Sequence, residues 1–278
     1  MITSTPPSWA AARLDYALAI SRAQNRAALG LYLPVGYPTR TASLDALHLM
    51  AQSADVLELG VPSASPHLDG PVIQEAAAQA LASGFQMRDL FTAAVELTAS
   101  STTALLVMSY WAEIAAYGVD AFAEELVAAG GGGALIPDLP EAAAEHWYKA
   151  ARKAGLYTVP LIPAHASDAH LAAMGAASSG MVYAPATPGR TGAQRPLSPY
   201  LPRLVRRLRV HTGLPVAVGI GISTPAHAAE ASGFSDAVVV GSAVIRRMQD
   251  RSAAPAAAAA AAARDFAAGV RLAKQAVH

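Results

Sequence analysis

Two carboxylates stand eleven residues apart in ELGVPSASPHLDG (58–70): Glu58 inside the apolar run VLELGVP, and Asp69 beside a glycine. By strand alternation Glu58 shares a face with Val56 and Gly60. If that face looks inward, the carboxyl is desolvated and its pKa rises toward neutrality. Such a group can give and take protons near pH 7. The structural reading of the same residue is a buried glutamate held by an arginine or a backbone donor. Asp69 lies in HLDGPVIQ, a loop leading into a helix, where aspartate also serves as a turn or cap residue. Asp138 in IPDLP falls at a strand end. Tyr110 and Tyr183 sit in or at the ends of apolar strands, where a buried phenol commonly has a structural hydrogen bond.

The elements that must position these residues are short and regular. Eight apolar runs recur: 29–35, 56–62, 104–110, 133–139, 157–163, 180–186, 215–221 and 237–243. Between them lie stretches with apolar residues at helical spacing, several closed by glycine. Strands buried on both faces read as continuous apolar runs, and parallel strands need crossover helices. Eight such units predict an α/β fold, a single (β/α)8 TIM barrel over 1–278 with its core at about 14–250. A doubly wound open sheet is the alternative, but PVGYP after the first strand is not a dinucleotide-binding G-x-G-x-x-G turn. Two helical patterns divided at Gly84 predict an extra helix after strand two. The Ala-rich stretch 252–275 predicts a closing helix with Ser252 as its cap and Pro255 in its first turn.

In such a barrel the chemistry sits at the C-terminal strand ends. Three glycine loops fall there in order: PGRTGA (188–193), GIGIS (219–223) and VGSA (240–243). Glycines let backbone N–H groups approach an anion, and the following helices aim their N-termini at it, so a phosphate ligand is expected. Lys+Arg and Asp+Glu are 20 each, which provides no field for nucleic acid or an anionic membrane. The apolar runs fall far short of the ~20 residues that span a bilayer, and the opening residues do not read as a signal peptide. A cytoplasmic protein is expected. With no cysteine, disulfides, thiolate metal sites and a Cys nucleophile are excluded. The lysines, Lys149, Lys153 and Lys274, lie in helical stretches, so none sits at a strand end to form a Schiff base. Of the histidines only His67 and His165 fall in catalytic-face loops, and both read as solvated loop residues. No metal site and no cofactor are expected.

LELGVP…LDGPVIQ, GVDAFAEEL, IPDLP, GMVY…TPGRTGA, PVAVGIGIS and VVVGSAV occur in the order and spacing of a known family. The chain resembles the α subunit of tryptophan synthase from about residue 14 to 250, and LPVGYP and SYW are similar to its actinobacterial branch. The resemblance implies a lyase that cleaves indole-3-glycerol phosphate to indole and glyceraldehyde 3-phosphate in a retro-aldol step. It implies Glu58 as the acid/base, Asp69 as the carboxylate on the indole N–H, and Tyr183 beside the reacting centre. Tyr110 is implied in the indole pocket, and Gly192, Gly221, Gly241 and Ser242 at the phosphate. Asp138, Thr191 and Ser223 complete the implied substrate-binding set.

The resemblance also implies a tryptophan synthase β subunit as partner, and the departures bear on it. Ser63-Ala64-Ser65-Pro66 replaces the usual Phe/Tyr-Ser-Asp-Pro, Ala112-Glu113 replaces an Asn-Pro, and Arg190 stands where valine is usual. Weakened coupling to a β subunit, and a stand-alone indole-producing lyase, are therefore expected. Two other readings differ in class: a non-catalytic regulatory subunit of a partner enzyme, and another phosphosugar-binding barrel enzyme. The first would be signalled by loss of Glu58 or Asp69, both present; the second does not account for the full motif set.

Overall fold

The structure, a computed structural model, describes residues 6–272 except 188, 190, 193, 194 and 251. Its strands are β1 (Ala28–Pro34), β2 (Val56–Gly60), β3 (Ala104–Met108), β4 (Gly133–Leu135), β5 (Tyr157–Val159), β6 (Val182–Pro185), β7 (Val216–Gly219) and β8 (Ala237–Val240). They form one parallel sheet in the order β5-β4-β3-β2-β1-β8-β7-β6. A bridge from Leu161 to Tyr183 joins the two ends. There the Ile162 N–H donates to Tyr183 O at 2.8 Å and the Tyr183 N–H to Pro160 O at 3.0 Å. The (β/α)8 barrel expected from the runs is the architecture found. Apart from β1, the strands are shorter than the runs, because the last residues of each run turn out into the loops above the barrel.

The helices are α1 (Trp9–Ala23), α2 (Arg40–Ala51), α3 (Pro71–Ala82), α4 (Met87–Ser100), α5 (Trp111–Tyr117), α6 (Val119–Ala128), α7 (Glu141–Ala154), α8 (Asp168–Ala177), α9 (Leu201–His211), α10 (Pro225–Ser232), α11 (Ser242–Gln249) and α12 (Pro255–Leu272). Local chemistry sets their ends. Thr39, Ser167 and Thr224 each accept a backbone N–H of the first turn, Pro71 and Pro225 open their helices, and Gly155 ends α7 in the left-handed region. The extra helix after β2 is present, α3 and α4 meeting around Gly84 at φ +85°. Two helices escape the sequence reading, α1 ahead of the barrel and the two-turn α5 after β3.

The closing helix is α12, whose alanines bring it close against α2, α10 and α11, with Phe266 and Val270 buried. Ser252 does not cap it. Pro255 itself opens the helix, and the Ser252 N–H instead donates to Asp250 at 3.0 Å. Among the described residues no helix is long and apolar enough to cross a membrane.

At the N-terminal ends of the strands, Arg26 and Asp55 form a two-point ion pair at 2.5 and 2.7 Å. Asp55 also accepts the Leu29 N–H at 2.7 Å, so one carboxylate ties the start of β1 to the start of β2. The side chains are only 11% and 16% exposed. Removing the guanidinium strands a mostly buried charge, which typically costs more than the intact pair contributes. Arg26→Ala is expected to lower unfolding stability by about 3 kcal/mol in urea titration, and Arg26→Ala/Asp55→Asn to recover part of it. A loss below about 1 kcal/mol would class the pair with solvent-screened surface pairs.

Candidate active site

Glu58 lies on the inner face of β2, in register with Tyr32 of β1, and is 6% exposed. Small residues make room for large ones around it. A methyl group on Gly60 would run into the Tyr32 phenol, and one on Gly219 into the Tyr183 phenol, so glycine at both positions lets these rings lie flat inside the barrel. Tyr32, Glu58, Tyr183, Met108, Leu135, Leu161 and Val239 thus form an apolar cavity open toward the C-terminal strand ends. Among the described residues neither the Glu58 carboxyl nor the Tyr32 hydroxyl has a hydrogen-bond partner. Burial pushes Glu58 up to about 8, and the charge of Asp69 adds to the push. Burial and the same two carboxylates hold the phenols of Tyr32 and Tyr183 well above their ordinary value.

Asp69 borders the same cavity from the loop before α3 and is 5% exposed, yet its surroundings are different. The Tyr110 hydroxyl donates to Oδ2 at 3.0 Å and the Thr191 hydroxyl to Oδ1 at 3.4 Å. Each hydroxyl is itself held by a backbone donor, Leu68 N–H at 3.1 Å and Gly70 N–H at 2.7 Å. Gln74 donates to the carbonyls of Asp69 at 2.9 Å and Pro66 at 3.2 Å, which fixes the loop on α3. Burial raises Asp69 only to about 6, because the hydroxyls of Tyr110 and Thr191 and the nearby His67 favour its ionised form. The two surroundings therefore favour the protonated form of Glu58 and the ionised form of Asp69.

The far rim is made of glycine-bearing turns. Gly221 follows β7 at φ +115° and Gly192 stands in the β6 loop at φ +87°, both in the left-handed region. Gly241 precedes α11 and gives it no side-chain cap, so among the described residues the N–H groups of Ser242 and Ala243 have no partner, beside the cavity that Gly241 and Ser242 line. Gly192 lies against Ser242, and Arg246 of α11 donates to the Gly192 carbonyl, which ties the β6 loop to that helix.

Of the residues singled out in the sequence, Glu58, Asp69, Tyr183, Thr191, Gly221, Gly241 and Ser242 line one cavity. Tyr110 stands behind Asp69 as its donor, and Gly192 beside Ser242. Asp138 and Ser223 stand outside the lining. Asp138 lies in the turn after a β4 that ends at Leu135, and accepts the Trp111 N–H that starts α5 at 2.8 Å. Ser223 meets His227 Nδ1 at 3.1 Å. Arg190 falls outside the described residues, as do parts of the 188–193 loop and Lys274; Lys149 and Lys153 lie in α7. His165 is an exposed loop residue, whereas His67, also exposed, touches Tyr110. The sequence reading missed Tyr32, whose signal was an aromatic on the inward alternation of β1. Among the described residues no three His, Asp or Glu side chains gather to hold a metal ion.

The raised Glu58 carboxyl links stability to pH. Between the ordinary glutamate value of 4.5 and about 8 the folded state keeps a proton that the unfolded chain has released, so stability falls as pH rises through that window. Asp69 acts in the same direction between 3.8 and about 6. Glu58→Gln removes the larger effect. The variant is expected to gain stability relative to the parent from pH 5 to pH 9, reaching several kcal/mol, in urea unfolding at both pH values. A stability difference independent of pH would contradict a desolvated Glu58.

Comparison with known proteins agrees with this geometry. The family model described as "Tryptophan synthase alpha chain" matches residues 18–276. The tryptophan synthase alpha chain of Streptomyces coelicolor is 42% identical over 261 residues, 93% of this chain and 96% of that one. That of Thermobifida fusca is 44% identical over 264 residues, 92% of this chain and 97% of that one. A structure of Mycobacterium tuberculosis tryptophan synthase superposes with a TM-score of 0.86 at 38% identity, covering 95% of this chain and 99% of its counterpart. With the barrel and the sequence agreeing over nearly its full length, the chain belongs to the tryptophan synthase alpha chain family.

Proposed function

We propose that Glu58 and Asp69 divide between them the retro-aldol cleavage of indole-3-glycerol phosphate to indole and glyceraldehyde 3-phosphate, the lyase reaction of this family. Protonated Glu58 donates its proton to the ring carbon that bears the side chain. Positive charge then grows on the indole nitrogen, whose N–H meets the Asp69 carboxylate. Glu58, now an anion, takes the proton of the hydroxyl next to the ring as the carbon–carbon bond breaks. The triose carbonyl forms, the bonding pair returns to the ring, and Glu58 ends protonated as it began. Tyr183 borders the reacting centre, Tyr110 and Thr191 hold Asp69, and Gly192, Gly221, Gly241 and Ser242 take the phosphate, while Ser223, in the turn between β7 and α10, stays outside the lining against His227.

The observation that carries this reading is the unequal environment of two carboxyls on one cavity: Glu58 without donors and Asp69 with two hydroxyls. The likeness to tryptophan synthase structures supports a β subunit as partner. Ser65 and Ala112 are exposed and Glu113 is partly so, and the coupling proposed across them is weak because an interfacial carboxylate and an Asn-Pro pair are replaced. A cytoplasmic setting fits a phosphorylated substrate, whose charge keeps it from crossing a bilayer.

Purified chain incubated with indole-3-glycerol phosphate is expected to release indole. Glu58→Gln should reduce that by at least ~10²-fold and Asp69→Asn by roughly 10²-fold, with the fold and phosphate-ligand binding retained. Undiminished turnover in Glu58→Gln would overturn its role; a change in KM alone for Asp69→Asn would leave that residue a binding group. Because Asp69 must be ionised and Glu58 protonated, kcat/KM should rise through about pH 6 and fall through about pH 8. Adding a saturating β subunit from the same organism should raise indole production less than about fivefold. A stable complex with tenfold or greater activation would contradict weak coupling.

A further inference from the structure

Tyr32 brings into the cavity a hydroxyl that the cleavage steps leave unused. Its side chain is buried on β1 and spans two bare backbones. At its base, a methyl group on Gly241 would stand 3.0 Å from Cδ1 and 3.3 Å from Cβ; at its far end, a methyl group on Gly60 would fall on the hydroxyl itself. Gly241 belongs to the glycine-bearing rim, and Gly60 follows Glu58 by two residues on the same face of β2. The phenol therefore lines the wall between the rim at β8 and the carboxyl on β2. Among the described residues its hydroxyl has no hydrogen-bond partner. The other two phenols of the site differ: the Tyr110 hydroxyl is committed to Leu68 and Asp69, and the Tyr183 hydroxyl is met by the Ile220 N–H. A polar group buried without a partner is costly, and one that opens on a cavity is free to find its partner in a ligand.

The polar groups of indole-3-glycerol phosphate can be matched to those of the cavity in turn. The indole N–H meets Asp69, the hydroxyl beside the ring meets Glu58, and the phosphate meets the rim. The hydroxyl on the middle carbon of the glycerol chain is left over. That carbon lies between the reacting carbon and the phosphate, as the Tyr32 phenol lies between Glu58 and Gly241. We propose that Tyr32 is a specificity-determining residue: its hydroxyl bonds to the middle hydroxyl of the glycerol chain and sets the course by which that chain brings the reacting carbon to Glu58. The inference rests on the reading of indole-3-glycerol phosphate as the substrate.

The test pairs a change in the chain with a change in the substrate. Indole release is measured in single turnovers, with the chain in excess, on indole-3-glycerol phosphate and on the analogue whose middle carbon carries two hydrogens. The analogue keeps the hydroxyl that Glu58 deprotonates, so the same bond breaks and the aldehyde formed lacks only the middle hydroxyl. Tyr32→Phe removes one oxygen and keeps the ring against Gly60 and Gly241. It is expected to lower kcat/KM about tenfold on the natural substrate and less than about twofold on the analogue, the signature of one hydrogen bond between the two missing groups. Tyr183→Phe should lose the same factor on both. The Kd values of both compounds in the Glu58→Gln background, with and without Tyr32→Phe, give the same comparison without turnover. An equal loss on both compounds would overturn the proposal, and an alkaline limb of the pH profile displaced along with it would place the hydroxyl on Glu58 instead. Undiminished release from the natural substrate in Tyr32→Phe would overturn it as well, as would a dependence on the middle hydroxyl lost in Tyr183→Phe and kept in Tyr32→Phe. No indole from the parent chain would overturn the reaction and not the contact, which the Kd values then decide.

Discussion

The desolvation of one carboxyl inside the barrel is the constraint on which the rest of this site depends. Glu58 occupies an inward position of β2 that would otherwise hold an aliphatic side chain, and no described residue offers it a hydrogen bond. An anion there would lack side-chain and backbone donors and most of its hydration, which pushes the group up to about 8. That costs the fold several kcal/mol above neutral pH, a large share of a net stability of about 5–15 kcal/mol. The surrounding layer offsets it by dense packing: Tyr32 over Gly60, Tyr183 over Gly219, and aliphatic residues from β3, β4 and β8 closing the gaps.

Asp69 is as little exposed as Glu58 and yet its carboxyl is raised only to about 6, because donors as well as burial set proton occupancy. The difference comes from donors supplied by separate parts of the chain. Tyr110 arrives from the end of β3 and Thr191 from the loop after β6, and both meet Asp69 on the loop after β2. The same threonine accepts the Gly70 N–H at the start of α3, and Gly192 beside it is held by Arg246 of α11. The ionisation of Asp69 is thus coupled to the closeness of the β2 and β6 loops, and through α11 to the glycine rim.

Much of this was legible in the amino-acid sequence, for physical reasons. Parallel strands buried on both faces leave continuous apolar runs, so the eight strands could be read from spacing, and with them the face that Glu58 shares with Val56 and Gly60; that this face looks inward could not, because both faces are apolar. Phosphate-type rims need glycine and a helix start, which leave local signals at 221 and 241. Features that depend on contacts between distant loops were not legible. The donors to Asp69 come from 41 and 122 residues away, and no local pattern distinguishes Tyr110 as its partner. Tyr32 looked like an ordinary strand aromatic until the bare backbone of Gly60 appeared beneath it. Helix α5, seven residues long, is too short for periodicity to report. Asp138 was read from the end of an apolar run, but β4 stops at Leu135 and the aspartate serves the start of α5 instead.

Infrared difference spectroscopy reads directly how protons are distributed between the two buried carboxyls. Subtracting the spectrum of Glu58→Gln from that of the parent chain isolates the carbonyl stretch of the Glu58 carboxyl. At pH 7 the account predicts the band of a protonated acid, giving way to the carboxylate band as pH is raised through about 8. A carboxylate band already present at pH 6 would contradict it.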